Sequence, residues 1–365
     1  VNILFYFPSS QNSNSLETLM EEFSKMGHKV HLLSQEPKGD IQAVVEKSGV
    51  KTDSFVLPKS SSFVFYIKHI RYLTKYVKKN KIDLVYAHTQ PANIIAVFAQ
   101  YFSTARFIIC RHHSDYIMNG TNRNAKIFDK IINRLGKEFI VPSKKVFHQL
   151  TEVEGVNPSK VRLINYAYRF ENYPEPKIES LFAISRDFPC SLRLVTVSRF
   201  IPCKRYGLLI SVIKALVDKQ LDVKLLILGG GPLEPELKAQ VKDLELERHV
   251  FFIGFTREAI TYMAAADVVV HTSDSEASNS VIKEAGILEK LIIACADVGD
   301  FDDYIENGEN GFLISKENTE QELTELLLKI YDDKSKYNHF GPALKKSVYK
   351  HFYVENVIDK YQEVK

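Results

Sequence analysis

Tryptophan is missing altogether from the 365 residues, and cysteine and methionine occur only four times each. Cys110, Cys190, Cys203 and Cys295 are scattered, with no C-x-x-C pair and no metal-ligand spacing. That pattern speaks against a disulfide scaffold or a zinc module and for reduced thiols. No apolar run approaches the roughly 18 residues that a membrane-spanning helix requires. There is no G-x-G-x-x-G, no Walker motif and no internal period of the kind solenoids carry. Neither sign of charge dominates, the formal net charge being +3.

What is there is the composition of a globular protein, 45% hydrophobic and 25% charged. The length suggests two domains, each able to bury a core. The small net charge hides an asymmetry. Residues 1–170 hold 24 Lys and Arg against 13 Asp and Glu, whereas residues 171–365 hold 24 against 32. Only the first half is therefore expected to meet an anionic partner. The opening run, residues 1–7, reads as a strand and has neither the basic n-region nor the length of a signal peptide. A cytoplasmic location is the expectation, with peripheral attachment to the cytoplasmic face of a membrane left open.

Strand and helix signals alternate through both halves. In the first, strands are expected at 3–7, 29–33, 84–87, 107–110, 139–141 and 161–164, with helices at 16–25, 63–79, 92–102 and 126–135. In the second, strands at 192–197, 224–228, 250–253 and 267–272 precede helices at 320–331, 335–349 and 354–364. Such alternation predicts an α/β fold with parallel sheets covered on both faces. Residues 165–190 lose apolar periodicity and gain Pro174, Pro176 and Pro189, as a linker does.

Residues 63–81 contain no acid, yet they hold Lys68, Arg71, Lys75, Lys78 and Lys79 among five aromatics. A basic amphipathic helix of this kind suits an anionic membrane surface. The alternative is a helix packed on its sheet with a solvated basic face. His88 and His112-His113-Ser114-Asp115 each follow a strand, at the edge where ligands of open α/β sheets bind. An imidazole there could bond a sugar hydroxyl or a phosphate. The polar loop at residues 8–15 occupies the same edge, without a residue that singles out a role.

Four stretches of the second half follow strands in the same way. Arg199 and Lys204 are two cations on one loop, able to neutralise a diphosphate. Gly229-Gly230-Gly231-Pro232 lets backbone approach a ligand closely. Gly254-Phe255-Thr256-Arg257 offers a ring and a cation that could stack on or bond a base. After the strand at 267–272 comes Glu276-Ala277-Ser278-Asn279-Ser280, then a helix carrying Glu284. One of Ser278, Asn279 and Ser280 is expected to cap that helix, whose free N–H groups suit phosphate. Glu276 and Glu284 would flank the anion and accept hydrogen bonds from hydroxyls on either side of it. A diphosphate with a hydroxylated group at each end is a nucleotide-sugar.

Glu276 and Glu284 in E-x7-E spacing, with Ala285, Gly286, Asn310-Gly311 and Phe312-Leu313, resemble the donor site of retaining GT-B glycosyltransferases of family 4. The family usually has Gly after the first Glu and Gly-x-Pro before the next strand, where this chain has Ala277 and Glu289-Lys290-Leu291. The resemblance implies two Rossmann-like doubly wound domains facing a central cleft: an acceptor domain at 1–170, completed by a C-terminal helix near 350–365, and a donor domain at 186–345.

It also implies a retaining, hexosyltransferase-type activity on a nucleotide-sugar, UDP-linked by preference, with a glycan or lipid-linked acceptor. No cofactor, metal or nucleic-acid partner is expected. Arg199 and Lys204 would neutralise the leaving group, with Arg205 solvated. Glu276 and His113 would hold the donor sugar, Glu284 the ribose, and Gly229, Gly231, Pro232, Gly254, Phe255 and Arg257 the nucleotide. Two other readings compete: a nucleotide-sugar epimerase on the same fold, and a non-catalytic subunit binding a membrane surface. A third, minor one takes Asp300-Phe301-Asp302 as a metal-binding D-x-D.

Overall fold

The computed structural model describes residues 1–58, 63–114 and 123–363. Asp115 lies outside them. The chain divides into two compact units, residues 1–169 with 352–365, and residues 170–351.

The first unit is built on seven strands: β1 (Asn2–Tyr6), β2 (Lys29–Ser34), β3 (Lys51–Ser54), β4 (Leu84–His88), β5 (Arg106–Cys110), β6 (Phe139–Val141) and β7 (Val161–Leu163). They pair in parallel in the order β3-β2-β1-β4-β5-β6-β7. Every residue of β4 is buried, as a central parallel strand with helices on both faces requires. Ile3, Phe5, Leu32, Tyr86 and Ile108 form one core with Val354, Val357 and Tyr361 of the helix Val354–Gln362. Each of these side chains contributes about 1.5–3 kcal/mol of burial, so the end of the chain is held firmly to this sheet. Tyr361 adds a hydrogen bond to the Asn165 carbonyl at 3.3 Å.

The second unit has six strands: β8 (Leu192–Val197), β9 (Val223–Leu228), β10 (Val250–Gly254), β11 (Val268–His271), β12 (Leu291–Cys295) and β13 (Phe312–Ile314). Their order is β10-β9-β8-β11-β12-β13, again all parallel. The chain runs outward from β8 to β10 and then returns to the other side of β8. This reversal opens a crevice outside the carboxyl ends of β8 and β11. In the first sheet the reversal falls between β1 and β4.

Some elements differ from the sequence reading. β3 is absent from it because Thr52-Asp53-Ser54 has no apolar run, and as an edge strand it needs none. The stretch taken as linker carries a helix, Ile178–Asp187, of which only Ile184 is fully buried. One buried position gives too weak a period to register. The helix expected at 335–349 is a 3-10 turn, Lys334–Tyr337, followed by a helix at Phe340–Phe352.

Candidate active site at the second switch point

β11 ends in His271, and the loop behind it folds back so that Glu276 lies 6% exposed. Three groups converge on one oxygen of that carboxylate. Lys204 Nζ, from the loop after β8, donates to Oε1. His271 Nε2 lies 2.6 Å from the same atom and must carry the proton for the contact to be attractive. Asn279 Nδ2 donates to it at 3.1 Å. No hydrogen bond or ion pair among the described residues engages Oε2. The carboxylate is therefore gripped through one oxygen, with the other able to accept from a ligand hydroxyl.

The electrostatics follow from this packing. Burial alone would raise the Glu276 pKa, but the hydrogen bond from His271 and the charges of His271 and Lys204 outweigh it and hold the acid at about 2. A buried carboxylate that stays ionised needs such partners. Lys204, expected as a free cation for a diphosphate, is 7% exposed and spends its charge on Glu276. Arg205, expected to be solvated, donates from Nη1 to Thr319 Oγ1 at 3.0 Å. Arg199 is the cation of this loop left exposed, without an ion pair among the described residues.

Asn279 does two jobs. Its Oδ1 accepts from the Ile282 N–H at 3.1 Å and caps the helix Ser280–Ile287, while its Nδ2 holds Glu276. A cap of this kind is worth about 1 kcal/mol. Glu284 sits one turn into that helix. Its pKa is raised to about 7, because burial outweighs the hydrogen bond from Ser280 and the charge of Lys283. The two glutamates of the motif thus sit on opposite sides of the ordinary carboxylate value.

Behind the loop lies a buried ion pair that the sequence reading misses. Lys283 Nζ donates to Asp300 Oδ2 at 2.7 Å, to Ser278 Oγ at 3.0 Å and to the Asn279 carbonyl at 2.8 Å. Ser278 Oγ donates to the same Asp300 oxygen. Burial pushes both charges toward their neutral forms, and their mutual attraction opposes this. The pair fixes the backbone at Ser278 and Asn279, and so the start of the helix. Asp302 accepts from the Asp297 N–H at 2.7 Å. Both carboxylates of the D-x-D reading thus have protein partners. His271 and Lys283 carry faint signals in the sequence: a histidine closing an all-valine strand, and a lysine between the buried Ile282 and Ala285.

The glycine turn packs on the Arg199 loop. A Cβ at Gly229 (φ +124°) would lie 2.0 Å from the Ser198 carbonyl oxygen, and one at Gly231 2.7 Å from that of Phe200. The Phe200 N–H donates to Gly230 O at 2.9 Å. Only glycine lets this close approach form. Pro232 and Arg257 are exposed, and Phe255 is 89% exposed on the turn that begins at Gly254 (φ +82°). An aromatic ring this bare is free to stack on a planar ligand.

The switch point of the first unit is built differently. His88 Nδ1 lies 2.9 Å from His112 Nε2, and His112 Nδ1 meets the Tyr166 hydroxyl. Burial lowers both imidazoles, His112 to about 4 and His88 well below its usual value, so both are neutral at pH 7. His113, expected at the donor sugar, is buried with Nε2 bonded to Asp129 Oδ2 at 2.8 Å. Arg111 joins it, 3.7 Å from Asp129 and paired with Glu154 through both terminal nitrogens. Lys68, Arg71, Lys75, Lys78 and Lys79 are all exposed on the helix Phe63–Lys79.

Comparison with known proteins gives a consistent picture. Residues 182–347 match the family model described as glycosyl transferases group 1, and residues 13–167 match that of glycosyltransferase family 4. The chain is 28% identical over 222 residues to a Campylobacter jejuni enzyme. That relative is an N-acetylgalactosamine-N,N'-diacetylbacillosaminyl-diphospho-undecaprenol 4-alpha-N-acetylgalactosaminyltransferase; the match spans 60% of this chain and 57% of that one. It is 26% identical over 210 residues to a Staphylococcus aureus poly(ribitol-phosphate) alpha-N-acetylglucosaminyltransferase, covering 55% of this chain and 42% of that relative. The chain thus spans about half the length of these curated relatives. Anabaena HepE, solved in complex with UDP-glucose, superposes with a TM-score of 0.82 at 20% identity, over 100% of this chain and 98% of that one. At that identity the likeness shows the fold, GT-B.

Proposed function

Because this chain belongs to glycosyltransferase family 4, we propose that it transfers a hexosyl unit, with retention at the anomeric carbon, from a UDP-linked sugar to a glycan or lipid-linked acceptor. The observation that carries this reading is the Glu276 carboxylate, ionised and gripped through Oε1 by Lys204, His271 and Asn279, with Oε2 left to accept from a sugar hydroxyl. It lies at the switch point of its sheet, beside a capped helix N-terminus and an exposed arginine. UDP-glucose bound to Anabaena HepE and the lipid-diphosphate acceptor in the name of the Campylobacter relative support the choice of substrates.

In the proposed reaction the diphosphate lies over the N–H groups at the start of the helix Ser280–Ile287, with Arg199 taking up the charge that grows as the bond to the sugar breaks. Glu276 Oε2 holds the sugar, and Glu284 holds the ribose diol. The acceptor hydroxyl attacks from the face the diphosphate leaves and passes its proton to the departing phosphate oxygen, which conserves the anomeric configuration. Because Lys204 is committed to Glu276, the leaving group relies on Arg199 and the helix rather than on two loop cations. Neither step calls on a metal ion. Peripheral attachment to an anionic membrane falls to the basic helix Phe63–Lys79.

The test has two parts. A thermal-shift panel of UDP, GDP, ADP and their sugars should give its largest shift with UDP compounds. Incubation with the best donor and a lipid-diphosphate acceptor should yield an α-linked product from an α-linked donor, read by proton NMR. A β-linked product, or sugar interconversion without acceptor, would overturn the reading.

A further inference from the structure

The apolar surface of the helix Phe63–Lys79 is wider than the part its neighbours bury. Leu73, Tyr76 and Val77 are buried. Tyr66 and Ile70, in line with Leu73 and Val77 along the helix, and Ile67 beside them line an open groove of about 800 Å³ together with Phe98, Phe102 and Phe128. Its walls are almost wholly apolar, and several are bare: Phe63 is 78% exposed at its mouth and Phe102 69%. Apolar surface of this extent in a concave wall marks a binding site.

A row of cations borders it. Lys68, Arg71, Lys75 and Lys78 follow one another at helical spacing, which sets them along one edge of the groove face, and Arg71 and Lys75 also line the groove. None of the four has an ion pair among the described residues, and the helix holds no acid to compete. Greasy walls beside a cationic rim are complementary to a hydrocarbon chain that ends in an anionic head, and a lipid-linked acceptor supplies that head as phosphate.

We propose that this groove holds the hydrocarbon chain of a phosphate- or diphosphate-headed lipid, with the anionic head on Arg71 and Lys75. The proposal rests on the reading of the chain as a transferase with a lipid-linked acceptor, and it names where the lipid end of that acceptor sits. Lys68 and Lys78 extend the cationic edge in both directions, so a diphosphate fits it as well as a single phosphate.

Dodecyl phosphate below its micellar concentration is the probe, titrated calorimetrically into the full chain, with inorganic phosphate and dodecyl maltoside as comparisons. Saturable one-to-one binding of dodecyl phosphate is expected, with dodecyl maltoside about tenfold weaker and inorganic phosphate silent at the same concentrations. Ile70→Trp, which fills the groove, and Phe102→Asp, at an exposed position, should each weaken dodecyl phosphate by about tenfold or more. Arg71→Ala with Lys75→Ala should weaken dodecyl phosphate and leave dodecyl maltoside unchanged. The thermal shift given by UDP should be the same in all variants, which keeps a failure here distinct from a failure of the donor assignment. Equal binding by Ile70→Trp and wild type would overturn the proposal. So would sedimentation with phosphatidylglycerol vesicles in the absence of any saturable dodecyl phosphate binding, since that is a surface patch rather than a chain site.

Discussion

The two sheets share a parallel, doubly wound plan, and their switch points differ in one respect: where the charge is. In the second unit the crevice outside β8 and β11 holds an ionised glutamate, a lysine and a histidine in one cluster, with an exposed arginine on the same loop. In the first unit the edge outside β1 and β4 carries His88 and His112, both neutral and bonded to one another. The one cation described beside them, Arg111, is paired with Glu154, and a row of exposed cations lies instead along the helix Phe63–Lys79. One topology thus presents polar groups fit for a diphosphate and its hydroxylated ends in one place, and an apolar wall with a cationic rim in the other. Fold alone distinguishes neither; the side chains at the strand ends do.

The largest effect is expected where that contrast is sharpest. Glu276→Leu leaves Lys204 buried without its partner, and should cost about 3–5 kcal/mol of stability by urea unfolding. Adding Lys204→Met should recover much of that loss without restoring activity. A histidine of the neutral edge offers the control: His88→Phe removes no charge and should leave UDP binding intact. If Glu276→Leu proves as mild as His88→Phe, the cluster is not the electrostatic centre described here.

Arg199→Ala comes next. The side chain is exposed and has no ion pair among the described residues, so stability should not change. Turnover should fall by about 10²–10³, with UDP affinity changed far less, as expected for a group that acts on developing charge. Steady-state kinetics beside UDP titration separate the two.

A smaller, pH-dependent effect separates the glutamates. Glu284, raised to about 7, keeps its proton in the folded state over a range where the unfolded chain has lost it, so its contribution to stability falls as pH rises from about 4.5 to about 7. Glu276 has the opposite sign: its depressed pKa stabilises the fold above the ordinary carboxylate value, and this is lost as pH falls toward about 2. A nucleotide-sugar, whose diphosphate does not titrate near neutrality, should bind more tightly as pH rises through 7. Glu284→Gln should flatten that profile, and an unaltered profile would remove Glu284 from the ribose.

The smallest effect lies at Glu289, which ends the helix Ser280–Ile287 with φ +56° at the place where the family usually has glycine. Glu289→Gly relieves a left-handed conformation and loses only an exposed pair with Lys345. A gain of about 0.5–1 kcal/mol in thermal unfolding is expected.

Much of this was legible in the residues, for identifiable reasons. Buried parallel strands announce themselves as apolar runs, so β4, β8, β9 and β11 are plain, whereas the polar edge strand β3 is not. The polar turn between the two glutamates signals a helix start because such a start has fixed chemistry, and Asn279 does cap it. What the sequence hides is partnership. Nothing local says that Lys204 spends its charge on Glu276, that His271 turns toward it, or that Lys283 and Asp300 meet beneath the loop. These are contacts between residues 5 to 72 positions apart, set by the order of strands in the sheet.

A crystal structure of the full chain soaked with UDP tests the central claim most directly. The diphosphate is expected over the start of the helix Ser280–Ile287, with Arg199 turned onto it, the ribose hydroxyls on Glu284, and Glu276 still held by Lys204 and His271. UDP bound away from that helix, or Glu276 released from Lys204 to make room for it, would contradict the account.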